Sequence, residues 1–260
     1  MPVQSLTRAF DIVELLAKEQ HGLTLSEIAE RVQLPTSTVY RLLSALKERG
    51  YVEQLKPSGY YRLGLTFVDM SSLYLNRLEL KTEAEPILRE LSKLTGQTVF
   101  LAIRDAHQIV YIDKMDEFSS LRKYSIIGQR KPVYATSLGK ALLLGLDDEA
   151  IQELLLNHEF QRLGPKTHTD LPRLLFDVQS SRKRGWTFDD EEAEPGVRCV
   201  AAPIYDYRSR VIAAVSASWT IDSFPDMDIQ KTAAHVMRAA DEISRHMGYQ
   251  TPAREQVHDG

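Results

Sequence analysis

Between Leu23 and Gly50 apolar positions recur every three or four residues in two short runs separated by a polar break. Leu25, Ile28, Ala29 and Val32 form the first run and Val39, Leu42, Leu43 and Leu46 the second, so the spacing predicts two amphipathic helices. Thr24 with Glu27 three residues later fits a capping box at the first helix. Gln33-Leu34 makes the turn, and Pro35 suits the first position of the second helix, where its missing amide is not needed. Gly50 is placed to end that helix as a left-handed cap. Residues 5–19 predict an earlier helix with Leu6, Ala9, Phe10, Val13, Leu16 and Ala17 along the side that completes a three-helix core. Tyr51–Gln54 and Tyr60–Leu63, on either side of Leu55-Lys56-Pro57-Ser58-Gly59, read as strand, turn and strand.

Downstream, Leu65, Val68, Leu73, Leu75 and Leu78 predict a linker helix over residues 65–81, its leucines free for a dimer contact. Another helix is expected from about Pro86, carrying Ile87, Leu88, Leu91 and Leu94 and closing at Gly96. From Thr98 the period shortens to two. Residues 98–104 and 108–113 predict strands around an Asp105-Ala106-His107 turn, with further strands over 121–127, 186–188, 199–205 and 211–219. Helices are expected over SLGKALLLGL, 148–156, 171–184 and 227–247, and the polar tail from Thr251 reads as flexible. Hairpin strands with helices alongside make an α+β class with a mainly antiparallel sheet.

The second helix of the amino-terminal pair has a chemical front as well as an apolar back. Ser37, Arg41 and Ser44 fall opposite the apolar stripe, Thr38 and Tyr40 flank them, and Thr36 stands at the start. Small hydroxyls approach phosphates and bases closely, and arginine pairs with a guanine edge or a phosphate. Helix–turn–helix spacing alone also fits a plain helical hairpin. A strand–turn–strand directly after it makes a winged helix, with Lys56 and Arg62 as candidate backbone contacts. The expected partner is double-stranded operator DNA.

Bulk charge changes that picture little. The 260 residues carry a net charge of −4, but residues 1–65 hold 8 basic against 7 acidic side chains and the remainder 24 against 29. DNA affinity then has to come from local placement and several copies acting together. One cysteine, Cys199, excludes an internal disulfide and fits a reducing cytoplasm. No apolar run approaches the ~18 residues of a membrane span, and the amino end lacks a signal-peptide core, so a cytoplasmic location is expected.

LPTSTVYRLLSALKERGYV, GQRKPVYATSLGKALL, GWTFDDEEAEPGVRCVAAPIYD and VIAAVSASW, in that order, resemble the IclR-type transcriptional regulators over nearly the whole chain. LRKYSIIGQRKPVYATSLGK, YIDKMD, EEAEPGVRC and ISRHMGY are most similar to the KdgR-like branch, regulators of ketodeoxygluconate and related sugar-acid catabolism. The resemblance implies a winged helix-turn-helix over residues 1–64, a linker helix over 65–81, a GAF-like effector-binding and oligomerisation domain over 82–250, and a flexible tail over 251–260. It also implies a homodimer or homotetramer, repression more often than activation, and a small carboxylate effector, here 2-keto-3-deoxygluconate or a related sugar acid.

Positions matching the family's effector pocket are Ser137, Leu138, Asp189, Cys199, Ser216 and Ser218. The residues themselves agree in part: Ser216 and Ser218 share one face of a strand, although a core serine bonded to backbone is common. Lys123, Arg130 and Lys131 add positive charge suited to an acid, and Lys123 and Lys131 complete the candidate set. Catalysis finds no support: the chain has no G-x-S-x-G elbow, no P-loop and no histidine near Cys199 in sequence. His158 and His168 lack metal-site spacing and read as exposed, so no metal or cofactor is expected. A DNA-binding protein whose second domain only dimerises, and an activator of the same architecture, remain open alternatives.

Overall fold

A computed structural model describes residues 3–70, 79–116 and 127–250, which divide between two compact units, Met1–Arg77 and Leu78–Gly260. In the first unit, helices α1 (Gln4–Ala17), α2 (Leu25–Arg31) and α3 (Thr36–Glu48) precede a two-stranded antiparallel hairpin of β1 (Val52–Gln54) and β2 (Tyr61–Leu63). The capping box is present: Thr24 Oγ1 accepts from the Glu27 amide at 3.3 Å, and the Thr24 amide donates to Glu27 Oε2 at 2.7 Å. Pro35 caps α3 from just outside the helix, and Gly50, at φ +73°, closes the segment that follows it. Ile12, Leu16, Leu23, Ile28, Ala29, Val39, Leu43, Val52 and Tyr61 form the core.

The first helix buries part of the face its pattern predicts, at Leu16, together with Ile12, which lies off it. Ile12 and Leu16 enter the core, whereas Leu6 and Phe10 are 55% and 57% exposed. Alpha-helical spacing admits two apolar stripes on this helix, and only the one facing Ile28 and Val39 finds partners in this unit. Residues 66–70 begin a helix, α4, and the remainder of the expected linker helix falls largely on residues 71–78, outside the described residues.

The second unit opens on α5 (Glu79–Thr95), which runs through Pro86 rather than starting beside it. A six-stranded antiparallel sheet follows, in the order β5-β4-β3-β8-β7-β6. Its strands are β3 (Thr98–Asp105), β4 (Gln108–Met115), β5 (Arg130–Pro132), β6 (Thr187–Asp190), β7 (Val197–Tyr205) and β8 (Val211–Thr220). The strand expected over 121–127 lies outside the described residues except for Ile127, which stands in a turn. Helices α5 and α9 (Ile229–His246) pack together against β3 and β7.

Alternate residues of the strands, among them Phe100, Ala102, Tyr111, Ala201 and Ala214, face the opposite layer. That layer is α6 (Ser137–Leu143), α7 (Asp148–Leu154) and α8 (Leu171–Arg184). A 3₁₀ turn, Val133–Ala135, leads into α6. Gly139 permits the close approach: a Cβ there would lie 2.2 Å from the Val133 carbonyl oxygen. Among the described residues no helix is long and apolar enough to cross a membrane.

Candidate DNA-contacting face and ligand cavity

On α3, Thr36, Ser37, Tyr40 and Arg41 are exposed together, while Thr38 and Ser44 are half-buried. Tyr40 is 56% exposed and presents a large amphipathic ring on this face. Ser44 Oγ donates to the Tyr40 carbonyl at 2.8 Å, so its hydroxyl proton serves the helix backbone. Lys56 stands exposed in the hairpin turn. Arg62, on β2, pairs through its guanidinium with Glu53, its cross-strand neighbour. A phosphate contact from Arg62 has to compete with that carboxylate, whereas Arg41 makes no ion pair among the described residues.

In the second unit, seven of the eight expected ligand-contacting residues meet at one cavity. Ser137, Leu138, Asp189, Cys199, Ser216, Ser218 and Lys131 line it together with Phe100, Tyr111, Thr136, Ala193, Glu194 and Val197. Lys123 lies outside the described residues. Arg130 pairs with Asp105 at 2.6 Å and does not line the cavity. The pairing of Phe100 with Ser216 and of Cys199 with both Asp189 and Ser218 explains the convergence: neighbours across the ladder share a face. Thr187 Oγ1 donates to the Ser137 carbonyl at 2.7 Å and fixes the start of α6 against β6. The cavity measures about 40 Å³.

Its electrostatics are mixed. Ser216 Oγ is buried without a protein partner, a hydroxyl left over for whatever fills the space. Asp189 is 2% exposed and accepts from the Glu192 amide at 2.8 Å. Burial, and then the neighbouring Glu192 charge, push its carboxyl up to about 7. Near neutrality it is therefore divided between an acceptor carboxylate and a donor acid. Lys131 Nζ lies 3.8 Å from Glu194 Oε2, and burial raises the Glu194 carboxyl despite that cation. Cys199 is half-buried and lines the cavity; burial and then the Asp189 charge push its thiol up, so it is no thiolate nucleophile.

Neither expected-exposed histidine is exposed, and they do not share a site. His158 packs among His107, Tyr134 and Phe160, with ring centroids at 4.9, 5.3 and 5.7 Å. His168 Nε2 sits 3.2 Å from Asp177 Oδ2 and 3.5 Å from Glu192 Oε2. Aromatic neighbours of this kind carry no helical or strand period across loops, so nothing in the local pattern marks them. Phe100 and Tyr111 were findable in principle, since strand alternation puts them on the Ser216 face once the ladder is known.

Residues 5–56 match the IclR helix-turn-helix domain, and residues 72–245 match the bacterial transcriptional regulator IclR C-terminal domain. The chain is 37% identical over 247 residues to the HTH-type transcriptional regulator KdgR of Escherichia coli, covering 95% of this chain and 94% of that one. It is 34% identical over 248 residues to the transcriptional repressor IclR of the same organism, covering 95% and 90%. The crystal structure of the Thermotoga maritima IclR superposes with a TM-score of 0.82 at 32% identity, covering 95% of this chain and 99% of that one.

Proposed function

The chain belongs to the IclR family of bacterial transcriptional regulators, and from that premise we propose that it is a ligand-released repressor of sugar-acid catabolic genes. It is a DNA-binding regulator and not an enzyme. In this reading residues 1–64 form the head that contacts operator DNA through Thr36, Ser37, Tyr40 and Arg41 on α3 and Lys56 on the wing. Residues 65–81 connect it to an effector-binding and oligomerising domain over 82–250. The net charge of +1 over residues 1–65 is too small for one head to hold DNA on charge alone, which supports a homo-oligomer presenting two heads to a palindromic site. A cytoplasmic location follows from that role.

The observation that carries the ligand reading is the cavity. Three serine hydroxyls, one of them unpartnered, an Asp189 carboxyl poised near neutrality and the Lys131 ammonium converge on it. That set suits a hydroxylated or keto acid. The resemblance to the KdgR-like branch makes 2-keto-3-deoxygluconate the first candidate. A cavity of about 40 Å³ adds a second candidate class, acids of two or three carbons, which need less rearrangement of the walls.

A gel-shift titration on DNA upstream of this gene and its neighbours, repeated with 2-keto-3-deoxygluconate, pyruvate and glyoxylate, tests the proposal. Release of a specific complex by one acid supports it and selects between the two classes. A complex indifferent to all of them at saturation refutes the ligand-released reading.

A further inference from the structure

Lys140 interrupts the apolar run of α6 and is the largest charged side chain wholly removed from solvent, at 0% exposed. Its Nζ lies 2.6 Å from Asp177 Oδ2 on α8, 2.7 and 2.8 Å from the two carboxylate oxygens of Glu192, and 2.5 Å from the Phe188 carbonyl on β6. His168 completes the ring beside both carboxylates, and Arg184 reaches Asp177 from 3.5 Å. Histidine with two carboxylates, all within 4.8 Å, is a ligand set for a divalent cation. Here the ammonium already holds the carboxylate oxygens that such an ion would need. Burial alone would discharge Lys140, but Glu192 and then Asp177 outweigh it and keep the group charged.

Both ends of this cluster adjoin residues that line the ligand cavity. Lys140 stands one helical turn beyond Ser137, Phe188 directly precedes Asp189, and Glu192 lies in the β6–β7 turn that supplies Ala193 and Glu194. The turn has other anchors: at its β6 end the Asp190 side chain pairs with Lys166 and Arg198, each at 2.7 Å, and Thr167 Oγ1 donates to the Glu192 carbonyl at 2.6 Å. No other lysine or arginine among the described residues comes within ion-pair distance of the Glu192 carboxylate, and His168, at 3.5 Å, is its only further neighbour of that kind.

We infer that Lys140 is a positioning residue, an internal cation standing where a metal ion would otherwise serve, that clamps the β6–β7 turn and so fixes one wall of the cavity. Its bearing on effector binding rests on the function proposed above; the clamp itself does not.

The test is amide hydrogen exchange on the full-length protein, with and without Co²⁺. Lys140→Ala should speed exchange over residues 190–197 by about tenfold or more while leaving β3 unchanged. Co²⁺ should then occupy the vacated space, restore protection and show the visible absorption of a protein-bound ion. Co²⁺ should do neither to the wild type. Unchanged exchange in Lys140→Ala, or equal Co²⁺ binding by the wild type, overturns the inference. Should Lys140→Ala not fold, Lys140→Met with Glu192→Gln removes both charges at once and must show the same faster exchange, or the clamp is refuted. None of these readouts involves an effector, so an operator complex that no acid releases would refute the function proposal and leave this one standing on the exchange data.

Discussion

Replacing Asp189 by asparagine should stabilise this protein at alkaline pH and do so less at acid pH. The carboxyl is raised from 3.8 to about 7, chiefly by burial, and each pKa unit corresponds to about 1.4 kcal/mol between the charged and neutral forms. Near pH 4 and below, folded and unfolded chains both carry the proton and no cost arises. Between about 4 and 7 the folded protein holds a proton the unfolded chain has released, so stability falls as pH rises. Above about 7 the folded carboxylate is charged and the full cost, roughly 4 kcal/mol, is present. Asparagine keeps an oxygen to accept the Glu192 amide, now at 2.8 Å, and carries no charge. Over pH 5 to 8 the stability advantage of Asp189→Asn should grow by about 2–3 kcal/mol. Urea unfolding of both proteins at pH 5, 6.5 and 8 measures it directly. An advantage that does not change with pH would show that the carboxyl titrates normally and that its burial is relieved by water in the cavity.

The same carboxyl predicts that an anionic effector, if Asp189 donates to it, binds with proton uptake, so its affinity should fall up to about tenfold per pH unit above 7; calorimetry in two buffers of different ionisation enthalpy reads that proton. Arg41→Ala should weaken specific operator binding by about 1–3 kcal/mol and relax specificity if it reads a base; an equal loss on every sequence with a shallower salt dependence would make it a phosphate contact. Arg62→Ala, already paired with Glu53, should cost less than Arg41→Ala in the same titration, and an equal cost would mean that Glu53 releases it on DNA. Gly139→Ala places a methyl group 2.2 Å from the Val133 oxygen, so it should lower the melting temperature of the second unit by an amount equivalent to about 1–3 kcal/mol; an unchanged melt would show that the 3₁₀ turn yields freely.

Local chemistry wrote most of the fold into the sequence. Thr24 and Glu27 mark a helix start because both groups of the capping box lie three residues apart, and strand alternation put Ser216 and Ser218 on one face. The parts that escaped need long-range information. Leu6 and Phe10 look as apolar as Ile12, and only the packing of α2 and α3 decides that Ile12 joins Leu16 in the core. Pro86 reads as a helix start, yet it sits within α5. Lys140 was the one readable anomaly, a lone charge inside SLGKALLL, but its partners Asp177 and Glu192 lie 37 and 52 residues away. A pattern window cannot join residues so far apart.

The placement of charge also bears on how a cavity lined by the Asp189 carboxyl, with Glu192 outside its lining, can receive an acid. Asp189 and Glu192 are three residues apart on one hairpin and have different partners. Glu192 shares the Lys140 ammonium with Asp177, whose carboxyl, despite its burial, is held well below the usual carboxylate range by His168 and Lys140. Asp189 makes no direct contact with that ammonium; the Lys140 charge and then the amides of Glu192 and Ala193 do not offset its burial and the Glu192 charge, and so it retains a proton into the neutral range. One carboxyl is held by the Lys140 ammonium, at 2.7 Å, so that the turn stays in place. The other is kept near its titration point, where it can drop its charge when an anion arrives beside Lys131. Were the Lys140 cation shared with Asp189 instead, that carboxyl would be fixed as an anion, and the cavity would repel the ligand class that its hydroxyls suit.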